Sequence, residues 1–522
     1  MAHNLADLAR AAARARPDSP ALLFRDEQVT WAELDARIDR VAAGLLGLGL
    51  SAGDRVGLQL TNTPEFPAAY FGVLRAGLVC VPLNTGYTGR ELSNLLDDAG
   101  ARALVATESG ASLVQGIRSD LPDLEHIIVG GGGPAPAGAR TLGDLVAATP
   151  VSDVADALEA GEARGGEDLA LLIYTSGTSG TPKGAMLTHR ALLANLDQVS
   201  SIEPPVLRRD DVVLLVLPLF HIYGLNAGLG MVARHGATGV LAERFDATGT
   251  LELITRHHVT NVVGAPPMYV AWAGLPDLAN TFPSVRLATS GAAPLPASVL
   301  SRLRDEAGLD IYEGYGLTET APVVTSTLLS DLPKPNSIGR AIPGVEVMLV
   351  DEDGDEVEED DAGELTVRGS NLFSGYWPDG EGGPDEQGWF ATGDVGYADD
   401  DGDLHLVDRR KELILVSGFN VYPREVEAVL LEHPGIAQAA VVGVPDEHTG
   451  EAVRAVIVAE PGAQVSRDDV TAHCEQSLAR FKCPSVIDIV AELPRSATGK
   501  VLKGALRGIS AGPERADPGG RP

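Results

Sequence analysis

Apolar positions recur along the first hundred residues with two periods, and the alternation between them is the first structural signal in the chain. Over 31–48, Leu34, Ile38, Val41 and Leu45 fall at helical spacing and share one face of an amphipathic helix. Residues 54–60 read as a strand, 68–76 as helix, 78–83 as strand, 91–99 as helix and 103–107 as strand. Strands alternating with helices of these lengths predict α/β layers around a largely parallel sheet. Residues 130–138 are rich in Gly, Pro and Ala, and 153–168 are acidic and alanine-rich without a strong apolar stripe. Both read as connections, the second with room for a short surface helix.

The alternation resumes with a buried strand at 169–173, followed by strands at 212–217, 239–241, 261–264 and 285–290. Thr188 is an N-cap for the helix that opens at His189. The acidic run 351–361, centred on Gly354, reads as a solvated turn between strands 345–350 and 363–368. Composition shifts at Asp408-Arg409-Arg410-Lys411-Glu412. Beyond it a strand at 413–416, a helix at 423–432, strands at 439–444 and 452–458 and a helix at 467–478 suffice for a small α/β domain. The expected organisation is a domain over 1–408, a second over 409–505 and a disordered tail over 506–522.

A length of 522 residues supports two or more domains, and 44% apolar with 22% charged residues is the balance of a soluble globular protein. The formal charge of −33 argues against nucleic acid as a partner. It also means that an anionic substrate must be met by locally gathered cations. Cys80, Cys474 and Cys483 have no metal-like spacing and suggest no disulfide framework, which points to a reducing, cytoplasmic setting. Apolar runs such as 212–217 are far too short to span a bilayer. Residues 1–16 are rich in Ala and Arg but carry Asp7, lack serine and run into Pro17-Asp18-Ser19-Pro20, so they read as a first helix rather than a transit peptide.

Candidate chemistry begins with Tyr174-Thr175-Ser176-Gly177-Thr178-Ser179-Gly180-Thr181-Pro182-Lys183-Gly184. A loop of small and hydroxyl-bearing residues with one lysine can wrap backbone N–H groups around a polyphosphate. It is not a Walker loop: Pro182 stands at the second required glycine, and Gly184 replaces the magnesium-binding hydroxyl. His221, in Pro218-Leu219-Phe220-His221, follows a strand, where packing and chemistry are both open readings. In Tyr312-Glu313-Gly314-Tyr315-Gly316-Leu317-Thr318-Glu319, two glycines bracket a flat aromatic, and Thr318 and Glu319 add oxygens suited to Mg2+. A tight turn beside a core tyrosine would look the same. Thr392-Gly393-Asp394, ending the strand at Trp389-Phe390, offers an acid for ribose hydroxyls or an Asx turn. Pro494-Arg495-Ser496-Ala497-Thr498-Gly499-Lys500 is a polar loop ending in lysine.

In this order the segments resemble the adenylate-forming acyl-CoA synthetase superfamily, which includes fatty acyl-CoA ligases, 4-coumarate–CoA ligases, firefly luciferase and the adenylation domains of peptide synthetases. The first loop matches YTSGTTGxPKG with Ser179 in place of Thr, and the others match PxFH, GYGxTE, TGD and P-R-x-x-x-G-K. Asp408 to Ile414 and Gly418 to Glu427 match the hinge and the segment after it. The resemblance implies a large N-terminal domain of stacked α/β subdomains and a small mobile C-terminal domain. It implies that ATP and a carboxylate give acyl-AMP and pyrophosphate, after which coenzyme A displaces AMP.

By the same resemblance, Thr175, Ser176, Gly177, Thr178, Ser179, Gly180 and Lys183 hold the departing phosphates, while Glu319 binds Mg2+ with Thr318 at the phosphates. Tyr315 stacks on adenine, Gly291, Ala292 and Gly316 stand at the nucleotide and also among the acyl-pocket positions, and Asp394 and Arg409 hold the ribose. Lys500 bridges the acyl carboxylate and the α-phosphate, Lys411 is the pivot, and Ser417 and Gly418 face the coenzyme A side. Ser417 departs from the lysine that luciferases and coumarate ligases carry there, which weakens a luciferase-type reaction. His221 gates an acyl pocket formed by Tyr223, Asn226, Val263, Gly264, Pro266, Ala321, Pro322 and Val323. These are mostly small or apolar and include no cation for a second carboxylate, so a medium- or long-chain fatty acid is expected ahead of a dicarboxylate, with an aryl acid open. An acyl-AMP ligase loading a carrier protein and a catalytically inactive relative are the alternatives. A dimer and peripheral membrane contact are left open.

Overall fold

The computed structural model describes the chain except residues 1–2, 149–150, 162, 176–181, 277, 280, 331–333, 352, 358–360, 410–413, 417–418, 422, 447–449, 479, 496–500 and 508–522. At 151–153, 160, 408–409, 415, 419–420 and 450 the description is of backbone alone. The chain forms two compact units, Met1–Val347 with Val367–Phe390 and Met348–Thr366 with Ala391–Pro522.

Several helices of the first unit start where a side chain satisfies the first N–H groups. The helix Trp31–Leu46 opens with a capping box: Glu33 N–H donates to Thr30 Oγ1 at 3.2 Å, and Thr30 N–H donates to Glu33 Oε2 at 2.8 Å. Leu34, Ile38, Val41 and Leu45, the stripe read from periodicity, are all buried. Thr88 and Glu91 repeat the device at Gly89–Asp98. The expected first helix is Asp7–Ala15.

One sheet of this unit has seven strands, in the order Arg140–Thr141, His126–Val129, Ala101–Ala106, Arg55–Gln59, Val79–Pro82, Leu169–Thr175 and Lys183–Thr188. Its pairings are parallel except the last, where Leu169–Thr175 and Lys183–Thr188 run antiparallel. The second sheet has a parallel centre: Ile311–Gly316, Leu287–Ser290, Asn261–Gly264, Val212–Leu215, Thr238–Leu241 and Pro20–Phe24 lie in that order. Near-continuous apolar strands such as Val212–Leu215 suit burial on both faces.

The second unit holds most of the strands Val345–Val350, Gly363–Gly369, Trp389–Ala398 and Leu404–Arg409, together with a five-stranded sheet. In that sheet Ile436–Asp446 pairs antiparallel with Gly450–Ala459, which pairs parallel with Val486–Val490. The helices Pro423–Leu431 and Arg467–Ser477 add Val426, Leu430, Val470 and Cys474 to its core.

Three details depart from the sequence reading. Lys183–Thr188 is a strand, although Lys183 and Gly184 read as the end of a loop; its cross-strand partners in Leu169–Thr175 override a lysine and a glycine of low strand propensity. Thr392-Gly393-Asp394 does not end a strand: Trp389–Ala398 runs through it, with Gly393 at φ +76. Leu506 and Arg507, assigned to the tail, close the helix Lys503–Arg507, and Leu506 is fully buried. No helix among the described residues is long and apolar enough to cross a membrane.

Candidate active site

The loop at the head of the chemistry is the connection of a β-hairpin. Tyr174 pairs with Gly184 and Thr175 with Lys183, so the two strands that flank Ser176–Thr181 face each other. Ser176, Gly177, Thr178, Ser179 and Gly180 lie outside the described residues, as do Lys411, Ser417, Gly418 and Lys500. Tyr174 donates its hydroxyl to Asp98 at 2.5 Å, and burial with that acid raises its pKa well above the ordinary phenol range. Beyond the hairpin, Thr188 Oγ1 accepts from Ala191 N–H at 3.1 Å, which makes it the N-cap of His189–Ser200 as expected.

The second segment is a strand, Ile311–Gly316, that turns at Thr318–Thr320. Gly316 has no room for a side chain, since a Cβ there would lie 1.8 Å from the Pro322 carbonyl oxygen. Amide side chains distant in sequence fix this turn. Asn371 Nδ2 donates to Thr320 O at 2.7 Å, Asn195 Nδ2 to Val323 O at 2.8 Å and Asn226 Nδ2 to Ala321 O at 2.8 Å. All three asparagines are buried, and Ala321 is held at φ +64, a conformation that alanine adopts only when its surroundings impose it. Ala292 is similarly held at φ +73.

Glu319 leaves this turn half-buried, and its Oε1 accepts from Tyr376 O–H at 2.7 Å. The Tyr376 ring also faces Lys183, whose Nζ lies 5.0 Å from the ring centroid. The structure therefore brings Lys183 and Glu319 together through a tyrosine that the sequence reading missed. The only local signal was a glycine followed by two aromatics in the polar stretch 374–388.

Glu313 precedes the same turn. Its Oε1 accepts from Leu295 N–H at 2.9 Å, tying the segment after Gly291 and Ala292 to the strand. Burial pushes its carboxyl up to about 7, partly offset by that N–H.

The acyl-pocket candidates also converge. Tyr223 opens the π-helix Tyr223–Gly230, a rare element associated with functional sites. Its hydroxyl lies 3.4 Å from Thr289 Oγ1, and a Cβ on Gly291 would come within 3.1 Å of its ring. Gly264 pairs with Ser290, and Pro266 begins the helix Pro266–Ala273. Asn226 joins Leu192 and Ala321, while Val323 follows the buried Pro322. His221 Nδ1 accepts from Tyr223 N–H at 3.3 Å, and burial pushes the ring down to about 4, so it is a neutral imidazole at pH 7.

On the second unit, Asp394 and Arg409 are register partners of an antiparallel pair. Fifteen positions apart in sequence, they stand opposite each other. Asp394 is buried, and Thr392 Oγ1 anchors the segment by donating to Leu365 O at 2.8 Å.

A family model for AMP-binding enzymes matches residues 9–377, and one for the AMP-binding enzyme C-terminal domain matches residues 425–500. The chain belongs to the AMP-binding enzymes. Within them it is an AMP-forming acid–CoA ligase, with a large N-terminal α/β domain and a small C-terminal domain. This AMP-binding enzyme is 35% identical to a long-chain-fatty-acid–CoA ligase of Escherichia coli O157:H7, over 97% of this chain and 94% of that protein. It is 36% identical to the 3-[(3aS,4S,7aS)-7a-methyl-1,5-dioxo-octahydro-1H-inden-4-yl]propanoyl:CoA ligase of Rhodococcus jostii strain RHA1, over 95% and 96% of the two chains. The crystal structure of ATP-bound MatB from Rhodopseudomonas palustris superposes with a TM-score of 0.87 at 34% identity, covering 97% of this chain and 98% of that one.

Proposed function

We propose that this acid–CoA ligase activates a medium- or long-chain fatty acid in the cytoplasm. The observation that carries the reading is the neutral lining of the acyl-pocket candidates: Tyr223 and Gly264 adjoin Gly291, Asn226 bonds Ala321, and His221, bonded to Tyr223 N–H, is uncharged at pH 7. Such a lining accepts hydrocarbon and offers nothing to a second carboxylate. The similarity to long-chain-fatty-acid–CoA ligases supports it.

In the first half-reaction a carboxylate oxygen attacks the α-phosphorus of ATP, the bond to the β-phosphate breaks, and pyrophosphate leaves. Anions must be brought together, so positioning and neutralisation supply the catalysis. Lys183 and the loop from Thr175 are proposed at the departing phosphates, Tyr315 with Gly291, Ala292 and Gly316 at adenine, and Asp394 with Arg409 at the ribose. Lys500 is proposed to neutralise the acyl carboxylate and α-phosphate oxygens as charge develops. Lys411 is proposed as the hinge residue, with Ser417 and Gly418 on the side used by coenzyme A. There the thiolate attacks the acyl carbon and AMP leaves.

Glu319, with Thr318, presents the hard oxygen donors that Mg2+ takes. Among the described residues no group of three or more His, Cys, Asp or Glu could hold a metal alone. A Mg2+ at Glu319 would complete its shell from phosphate oxygens and water, the usual arrangement for this ion, and would neutralise phosphate charge there.

A second reading, an acid bearing a bulky ring, is favoured by the similarity to the Rhodococcus ligase. A pyrophosphate-release screen over acetate to palmitate, benzoate, coumarate, malonate and a bicyclic propanoate, with coenzyme A or a phosphopantetheinyl carrier as acceptor, tests both. The proposal expects the highest kcat/KM at eight carbons or more and coenzyme A as acceptor. A maximum at malonate or at the ring acids would replace it.

A further inference from the structure

The contacts around Tyr376 exceed what packing requires. Its backbone bridges to Ala185, Trp377 N–H donates to Gly184 O at 2.8 Å, and Phe373 N–H donates to Glu319 O at 2.9 Å. The segment 373–377 is thus bonded on one side to the strand that begins at Lys183 and on the other to the turn that carries Glu319. Phe373 packs edge-on against Tyr376 at 5.0 Å and against Phe390 at 5.0 Å, which restricts the ring's tilt. Within that frame the hydroxyl donates to Glu319 Oε1, and Lys183 Nζ sits over the ring face.

We infer that Tyr376 is a positioning residue for adenylation, a spacer that orients both Lys183 and Glu319 and keeps these opposite charges from collapsing onto each other. The inference rests on the proposed roles of those two residues at phosphate and Mg2+. An ammonium and a carboxylate on adjoining segments would form an ion pair if nothing intervened, and each would be lost to its ligand. A phenol prevents this with neutral chemistry. Its O–H satisfies one carboxylate oxygen without cancelling the charge, and among the described residues no other side chain bonds that carboxylate. Donation to an anion also enriches the ring in electron density, which favours a cation over its face. Among the described residues the lysine has no counter-ion.

Two substitutions separate the parts of this device. Tyr376→Phe keeps the spacer and the ring but removes the bond to Glu319. Tyr376→Leu removes the ring face as well. Acid-dependent ATP–pyrophosphate exchange is measured against free Mg2+ and against MgATP, and nucleotide binding is followed by calorimetry with MgATP and with ATP in EDTA. Thioester formation from added acyl-AMP and coenzyme A reports whether each variant is folded and competent.

For Tyr376→Phe the half-saturating Mg2+ concentration should rise at least threefold, with calorimetric weakening for MgATP but not for ATP in EDTA, and thioester formation should stay within twofold of wild type. Tyr376→Leu should add a further rise of fivefold or more in the KM for MgATP. Equal loss of both half-reactions in Tyr376→Phe, or an unchanged Mg2+ requirement, would overturn the inference. Glu319→Gln distinguishes this from failure of the functional reading. If Glu319→Gln raises the Mg2+ requirement while Tyr376→Phe does not, the spacer role alone falls. If Glu319→Gln leaves the requirement unchanged, the metal assignment falls and the inference with it.

Discussion

The turn at Thr318–Thr320 and the strand pair that carries Asp394 and Arg409 hold candidate ligand-binding groups by different means. The turn is fixed by buried side-chain amides drawn from three other places in the chain, Asn195, Asn226 and Asn371. The strand pair is fixed chiefly by backbone register, with Asp394 opposite Arg409, while Thr392 Oγ1 donates to Leu365 O and Gly393 N–H donates to Glu364 Oε1 at 3.0 Å. A site built on amide clamps couples its geometry to the stability of the unit, because an unpaired buried carbonyl costs more than the bond itself contributed. A site built on register keeps its backbone when a ligand-facing side chain changes. Substitutions at the turn should therefore move stability and activity together, and substitutions at the pair should move binding alone.

Asn371→Leu should give the largest effect on stability. It leaves Thr320 O without its donor and removes an acceptor of Gln198, at a cost of about 2–4 kcal/mol, read by urea denaturation alongside a loss of adenylation. A change below about 1 kcal/mol would mean that the clamp is dispensable.

Glu313→Gln sharpens the contrast through pH. The carboxyl titrates near 4.5 when unfolded and at about 7 in the fold, so the folded state holds the extra proton between those values. Its contribution to stability is full below about 4.5 and lost as pH rises through about 7. Gln can still accept from Leu295 N–H, so the variant should gain on wild type by about 2–3 kcal/mol between pH 5 and pH 8. His221 and His189, both pushed down to about 4 by burial, act in the opposite sense, with stability full above about 6.5 and lost toward about 4. Both remain in the variant, so the difference between the two melting profiles isolates Glu313.

Asp394→Asn should raise the KM for ATP about tenfold, the equivalent of about 1.4 kcal/mol, while the unfolding midpoint stays near that of wild type. A collapse of the fold instead would erase the distinction drawn here. Thr188→Ala, which removes the N-cap of His189–Ser200, should cost about 1 kcal/mol in the same denaturation assay and leave the KM for ATP unchanged.

The contrast also explains what could be read from the chain. The stripe Leu34, Ile38, Val41 and Leu45, the strand Asn261–Gly264 and the cap at Thr188 are local, and period and residue type specify them. The strand Lys183–Thr188 was missed because its stability comes from a partner strand rather than from its own residues. The signature segments carrying Lys183, Glu319 and Asp394 were legible as motifs, yet nothing local showed what holds them. Asn371 lies 51 residues from the carbonyl it satisfies, and Tyr376 lies 57 residues from Glu319. A polar residue's partner at that distance has no periodic signature, and glycines such as Gly316 announce only that something approaches closely.

The most direct test of the adenylation account uses Lys500→Ala. Wild-type enzyme and variant are compared in fatty-acid-dependent ATP–pyrophosphate exchange and, separately, in thioester formation from added acyl-AMP and coenzyme A. The account predicts that exchange falls by at least about a hundredfold, the scale of losing a charge that stabilises the transition state, while the second half-reaction largely persists. An equal fall in both half-reactions, or undiminished exchange, would contradict it.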